Sequence, residues 1–345
     1  MKLFGRFSSL ENQLQSMSKP KLAIIGAGFS GIFLAQELQE FFEVKIFEKS
    51  RGSGGRMSTR YAGNFTFDHG AQYFNAESKD FKKFIDPFIA SEDVSCWKGN
   101  VISFKNNGAD SSRRSEESYF VGSPKMNSLC KKLAGNLDIS LNSEVAPISP
   151  KKSDGWHLKD KNGNHLGVYD FIISTAPIAQ TKNLFSTQIT NDWEVEIASM
   201  LPSFVTMIGF NHRLSLDWIA GEVEHGPIKL ISFNSSKPGR DKNTSCFVII
   251  SKESWAKDHL EEEISTVEKI LVKNFEDLTG ILCDKADYIS THRWRYALSK
   301  NSKKIEPFFD KALRLGATGD WVLGSRIEDV WLAAKKLSDL LKTQI

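Results

Sequence analysis

Apolar and polar positions fall in blocks that change period along this chain. Lys21-Leu-Ala-Ile-Ile-Gly26 is a short apolar run closed by glycine, the pattern of a buried parallel strand. After the turn Gly26-Ala-Gly-Phe-Ser-Gly31, residues Ile32, Ala35, Leu38 and Phe42 recur at roughly one-face helical spacing. Val44 to Glu48 reads as a second strand. Strand, glycine turn, helix and strand in this order form the setting that a dinucleotide-binding fold requires.

Further along, residues 76–122 mix a helix with short strands near Val94–Trp97 and Val101–Phe104. The polar stretch Asn106–Ser118 reads as an exposed loop, and Met126–Leu133 as a helix. Trp156–Asp160 and His165–Ser174 flank an Asn-Gly turn and predict a hairpin, which ends in the apolar strand Phe171–Pro177. Between 181 and 300 the pattern is largely antiparallel, with strands at Phe204–Phe210, Lys229–Phe233, Cys246–Ser251 and Tyr288–His292 and one helix over Leu260–Phe275. The tail returns to a strand (Leu313–Ala317), a turn at Thr318-Gly-Asp320 and a helix over Arg326–Leu341. The fold class expected is α/β, a Rossmann-type domain split in sequence with a mixed α/β substrate domain inserted. Residues 20–75, 125–180 and 310–345 would form the nucleotide domain. Residues 76–124 and 181–309 would form the substrate domain, and residues 1–19 a flexible lead-in.

Composition narrows the function. The chain has 345 residues, above the roughly 250–300 at which single cores stop growing, so two domains are expected. Its 45 Lys+Arg against 42 Asp+Glu give a formal charge of +3, too balanced for nucleic acid as the main partner. No apolar run is long enough to span a bilayer, and residues 1–20 lack the apolar stretch of a secretory signal. Cys96, Cys130, Cys246 and Cys283 are scattered, without metal-ligand spacing. Reduced thiols in a cytoplasmic protein are expected, with no metal site. The oligomeric state leaves no mark in the sequence.

The chemistry starts at Gly26-x-Gly28-x-x-Gly31. Gly26 permits the tight turn, Gly28 lets the backbone approach a pyrophosphate, and Gly31 lets helix and strand pack closely. The helix N-terminus offers free N–H groups and the positive end of a dipole. Glu48 ends the next strand about twenty residues on, where a ribose-binding carboxylate belongs. A carboxylate there repels a 2′-phosphate and argues against NADP at this site. Lys49-Ser-Arg51-Gly-Ser-Gly54-Gly55-Arg56-Met57 then places a close-approach backbone beside cations that suit a pyrophosphate.

Gly-Gly-Arg after a ribose-binding acid resembles the flavin amine oxidase superfamily. The string Glu48–Arg60, then Asp68-His-Gly-Ala-Gln-Tyr-Phe74, Thr291–Ala297 and Gly319–Trp331, is similar to its bacterial renalase-like branch. The resemblance runs from about Lys21 to about Leu341 and implies non-covalent FAD. It implies that Gly26, Gly28, Ser30 and Gly31, with Arg51, Gly55 and Arg56, hold the pyrophosphate, and that Glu48, with Lys49 beside it, takes the adenosine ribose. Val145 would pair its backbone with adenine. Gly319 and Asp320 would meet the ribityl chain and phosphate. Gly70, Ala71 and Gln72 would lie along the isoalloxazine, and the helix start at Arg326 and Ile327 would face its pyrimidine edge. The last block departs from the family pattern at Gly324-Ser-Arg-Ile-Glu-Asp329, and it has no cysteine for covalent attachment.

Substrate-facing candidates are His69, Tyr73, Trp294, Arg295, Tyr296 and Arg326. The resemblance implies hydride transfer from isomeric dihydro-NAD(P), followed by reoxidation by O2 to give H2O2. Two alternatives stand beside it. One is an amine oxidase or desaturase acting on an apolar amine or lipid-like substrate, with Lys300 as its candidate lysine. The other is a non-catalytic flavoprotein. A cavity lined by arginines would favour the phosphorylated dinucleotide, and an apolar cavity the amine.

Overall fold

The computed structural model describes residues 19–105, 108–114, 119–185, 188, 199–300 and 303–344. The lead-in therefore lies almost wholly outside the described residues. The chain opens with β1 (Lys21–Ile25), α1 (Phe29–Leu38) and β2 (Glu43–Phe47). A 3-10 turn at Gly55–Met57 leads to the hairpin β3 (Thr59–Ala62) and β4 (Phe65–Asp68). Next come α2 (Lys79–Ala90), β5 (Val94–Trp97), β6 (Asn100–Lys105), β7 (Gly108–Arg114) and β8 (Tyr119–Gly122). They are followed by α3 (Ser128–Ala134), β9 (Ile139–Ser140), β10 (Trp156–Lys159), β11 (His165–Tyr169), β12 (Phe171–Ser174) and α4 (Ile178–Phe185). The middle of the chain supplies β13 (Ser199–Phe210), β14 (Ala220–Val223), β15 (Ile228–Phe233) and β16 (Ser245–Ser251), then α5 (Glu253–Asp258), α6 (Ile264–Thr279) and β17 (Tyr288–Lys300). The last elements are β18 (Phe308–Asp310), β19 (Leu315–Ala317), α7 (Asp320–Leu323) and α8 (Ile327–Lys342).

Two sheets dominate. The first has the order β18-β19-β12-β1-β2-β9 and is parallel except at its β18–β19 edge. Its central strand β1 is buried on both faces, which is why Leu22, Ala23 and Ile24 carry no polar alternation. Helices α1 and α8 cover one face, where Phe33 meets Trp331 edge-on at 6.0 Å and Ile32, Leu337 and Leu341 are fully buried. Trp156, Trp321 and Phe185 fill the core of the other face. The second sheet has the order β17-β13-β16-β15-β14-β6-β7 and is antiparallel except for β14 beside β6. Helix α6 packs Val267, Leu271 and Phe275 into its core.

Two expected boundaries change. The predicted loop at Asn106–Ser118 contains β7, an edge strand paired antiparallel with β6. Its residues lack strand character, and pairing to a neighbour decides its conformation. Strand β17 runs through to Lys300, because β13 offers a partner along that whole length, with one register shift near Ser203.

Candidate functional site

Two glycine turns meet above the C-terminal ends of β1 and β2. Gly26 holds φ +109°, and a Cβ there would lie 2.7 Å from the Thr175 hydroxyl. A Cβ on Gly31 would lie 2.0 Å from the Gly26 carbonyl oxygen, so only glycine lets α1 start this close to β1. The Gly54 N–H donates to the Ala27 carbonyl at 2.8 Å, and a Cβ on Gly55 would reach the Gly28 Cα at 3.1 Å. Backbone therefore faces backbone across the gap, beside the free N–H groups of the α1 N-terminus.

Glu48 is buried at the edge of this turn. Its Oε2 accepts the Ala27 N–H and its Oε1 the Ser50 N–H, each at 2.8 Å. An ionised carboxylate has about four acceptor positions, so capacity remains for a ligand hydroxyl. The buried Ser30 hydroxyl has no partner among the described groups. Bonds from Ala146 N–H to the Lys159 carbonyl and from Lys161 N–H to the Glu144 carbonyl flank Val145. The N–H and C=O of Val145 itself therefore face away from the β10–β11 hairpin.

A cavity of about 1160 Å³ runs from these turns to β17. It exceeds the roughly 300–1,000 Å³ usual for a small-ligand site. Its walls include Gly26, Gly28, Ser30, Glu48, Lys49, Gly55, Arg56, His69 to Tyr73, Val145, Gly319, Asp320 and Ile327. The β17 residues from His292 to Leu298 close its far side. The glycine cradle, the orphaned Ser30 hydroxyl, the outward Val145 backbone and the length of the cavity fit a dinucleotide.

Charge pairs tie the walls together. Arg56 grips Asp320 with two bonds of 2.7 Å and places Nη1 at 3.5 Å from the Tyr296 carbonyl. Asp68, one residue before the cavity wall, is wholly buried. Its Oδ1 accepts from Thr59 Oγ1 at 2.8 Å and from Met126 N–H at 3.0 Å. Its Oδ2 accepts from Lys237 Nζ at 3.1 Å and from Arg240 Nη2 at 2.5 Å. Burial alone would raise its pKa, but the two cations outweigh that and hold the carboxyl well below its usual range. Burial also pulls the Lys237 ammonium down to about 8, against the support of Asp68.

His69, His292 and Trp294 form an aromatic corner of the cavity. The His69 ring lies 5.3 Å from His292 and 5.5 Å from Trp294, and Trp294 Nε1 donates to the His69 carbonyl at 2.9 Å. Burial, the neighbouring His292 and nearby Arg60 push the His69 pKa down to about 4. Burial and Arg60 also lower that of His292. Both rings are therefore neutral at pH 7.

Several expected residues sit elsewhere. Arg51 is exposed and does not line the cavity. Gly31 packs α1 onto the first glycine turn and is not part of the lining. Arg326 turns outward, 54% exposed, and pairs with the exposed Glu77 and with the largely buried Asp329. Arg295 reaches the cavity rim but is paired twice with Glu261. The Gln72 side chain points inward, donating to the Asp68 and Gly70 carbonyls, so only its residue position borders the cavity. Lys300 is exposed and outside the lining. Lys237, Arg240 and His292 escaped the sequence reading. The cue for His292 was its place in Thr291–Ala297.

Residues 24–88 match the family model described as an NAD(P)-binding Rossmann-like domain. Similar solved folds include a candidate protoporphyrinogen oxidase from Exiguobacterium sp. 255-15, at TM-score 0.75 and 12% identity over 96% of this chain and 100% of that one. Reduced UDP-galactopyranose mutase superposes at TM-score 0.72 and 11% identity, with 95% of each chain covered. A cofactor-binding redesign of putrescine oxidase gives 0.68 and 9%, over 95% of this chain and 100% of that one. The fold is thus a mixed α/β arrangement with a Rossmann-type dinucleotide domain, shared with these three proteins. No helix among the described residues is long and apolar enough to cross a membrane.

Proposed function

We propose that the chain is an FAD-dependent oxidoreductase of renalase-like type, acting on a small reduced donor of the isomeric dihydro-NAD(P) class. The observation that carries this reading is one continuous cavity running from paired glycine turns on the first sheet to β17 on the second. Gly28, Ser30 and Gly55 would hold the pyrophosphate, Glu48 the ribose, and the Val145 backbone the adenine. His69, Gly70 and Ala71 would border the ring system, with Gly319, Asp320 and Ile327 closing the other side.

Bound flavin supplies a two-electron acceptor that O2 can reoxidise. The protein's part is orientation and electrostatics. The donor loses a hydride and becomes cationic. His69 and His292, both neutral, place no positive charge against it. Arg293, Arg295 and Lys229 border the same cavity, tied to the Glu262 carbonyl, Glu261 and Glu253, and would have to turn from those partners to meet the donor's phosphates. Overall, donor, O2 and one proton give the oxidised dinucleotide and H2O2. The lining is more apolar than polar, and that observation favours an apolar amine as the second reading. The unpaired state of all four cysteines fits a cytoplasmic setting.

The test is a spectrum of the purified protein, then anaerobic mixing with borohydride-made dihydro-NAD isomers, NADH and a panel of amines. Fast bleaching by the isomers alone is expected. Bleaching only by an amine would move the assignment to the amine oxidase, and no bleaching by any donor would leave a non-catalytic flavoprotein. A protein that cannot be loaded with FAD would refute the reading.

A further inference from the structure

The five residues from Asp68 to Gln72 form an arch whose middle borders the cavity and whose two ends hang on one side chain. We propose that Lys237 is a positioning residue that clamps this arch against the cavity. Its ammonium donates to Asp68 Oδ2 at 3.1 Å, to Gln72 Oε1 at 3.2 Å and to Asn234 Oδ1 at 3.0 Å. An ammonium has three N–H donors, so all are spent. Asn234 in turn donates to the Thr66 carbonyl at 2.9 Å, which anchors the clamp to β4. From above, Ala71 N–H donates to the Arg56 carbonyl at 2.8 Å, and a Cβ on Gly70 would meet that oxygen at 2.0 Å. The arch is thus held between the Arg56 turn and Lys237.

Lys237 belongs to the link between β15 and β16, in the second sheet. The clamp therefore makes the second sheet fix a wall that follows β4. Its charge balance is unusual, since two fully buried cations face one carboxylate. If Asp68 needed only neutralisation, Arg240 would suffice. The second cation is accounted for by its reach to Gln72. A role in cofactor retention rests on the flavin reading above, whereas the clamp does not.

Two variants of the full chain test it. Lys237→Met leaves Asp68 and Arg240 as a one-to-one pair, which keeps the buried charge balanced. Gln72→Leu keeps every charge and cuts the far tie, together with the Gln72 donations to the Asp68 and Gly70 carbonyls. Amide hydrogen exchange in residues 69–73, read by peptide mass spectrometry, should speed by about tenfold or more in both, since each variant loses three hydrogen bonds, while β13 and β16 exchange as in the parent. The FAD dissociation constant should rise by about the same factor. Parental exchange in the arch of both variants would overturn the proposal, whatever the melting temperatures. So would faster exchange in one variant alone: in Lys237→Met alone the tie would run through Asp68 only, and in Gln72→Leu alone the arch would be held by the amide's own bonds to the Asp68 and Gly70 carbonyls. A parent chain that takes up no FAD would refute the flavin reading, and the exchange result would still decide the clamp.

Discussion

Arg56 and Asp320 lie 264 residues apart and share two hydrogen bonds of 2.7 Å. The pair fastens the Gly-Gly-Arg turn to the first turn of α7, so two blocks far apart in sequence move as one wall. Asp320 is 2% exposed and Arg56 31%, so the pair is half-sheltered from solvent screening. Asp320→Asn keeps the shape and removes the charge. It should cost about 1–3 kcal/mol, below the full penalty for a wholly buried pair. A denaturant midpoint read by circular dichroism checks this, and an unshifted midpoint would remove the pair from the wall's support.

Asp68→Asn should do more damage. It leaves Lys237 and Arg240 buried without an anion, a loss of about 3–5 kcal/mol. Adding Lys237→Met should recover part of that loss, because fewer unpaired charges remain inside. A double-mutant cycle in urea measures the coupling, and strict additivity would show that the two side chains do not act together.

Stability should begin to fall with acid above the range in which the carboxylates titrate. The His69 pKa in the fold is about 4 against an ordinary 6.5, so between those values the unfolded chain binds more protons. The neutral ring's contribution is complete above pH 6.5 and is lost toward pH 4, up to about 3 kcal/mol. Asp68, with an ordinary value of 3.8, adds its own loss from about pH 5 downward, so the His69 window stands alone between about pH 6.5 and 5. Melting temperatures from pH 7 to 4 should fall steeply in the parent. They should fall less in His69→Asn, with His292 retaining part of the slope. Equal slopes would show that His69 is not held neutral.

Gly31→Ala should fail at the first turn of α1. Its methyl would sit 2.0 Å from the Gly26 oxygen, so the helix must retreat. Overpacking of this kind costs about 1–3 kcal/mol. On the proposed flavin reading, the visible flavin band after purification should drop with it. A variant that keeps a full complement of cofactor would contradict the close packing.

Arg326→Ala should leave donor specificity alone. The side chain is exposed and paired on the outer surface, so its loss should shift stability by less than about 1 kcal/mol. On the proposed renalase-like reading, steady-state kcat/KM for the dihydro-NAD isomers should stay within about twofold, whereas a large drop would return Arg326 to the substrate's side.

The strand–glycine–helix–strand opening was legible because its signals are local: apolar runs, a positive-φ glycine and a carboxylate at a fixed distance. The walls that join distant segments were not. Lys237-Pro-Gly-Arg240 carries the proline and glycine that usually mark a surface turn, so nothing local shows its cations to be buried. Only the return of β4 beneath it reveals the carboxylate that both cations meet. Arg326 fell in the right block, yet its direction depends on Glu77, 249 residues away. β7 gave no signal because an edge strand takes its conformation from the strand it pairs with.

The order of strands in the first sheet also governs how the chain is built. β1 pairs with β2 nearby, but its other neighbour is β12, and beyond β12 lie β19 and β18. During synthesis the N-terminal half therefore waits with an unpaired apolar edge until residues near 171 and then near 315 emerge. Such a high contact order predicts slow, late folding. It also makes the last forty residues, remote from the first glycine turn in sequence, a condition for that turn to find its place at all.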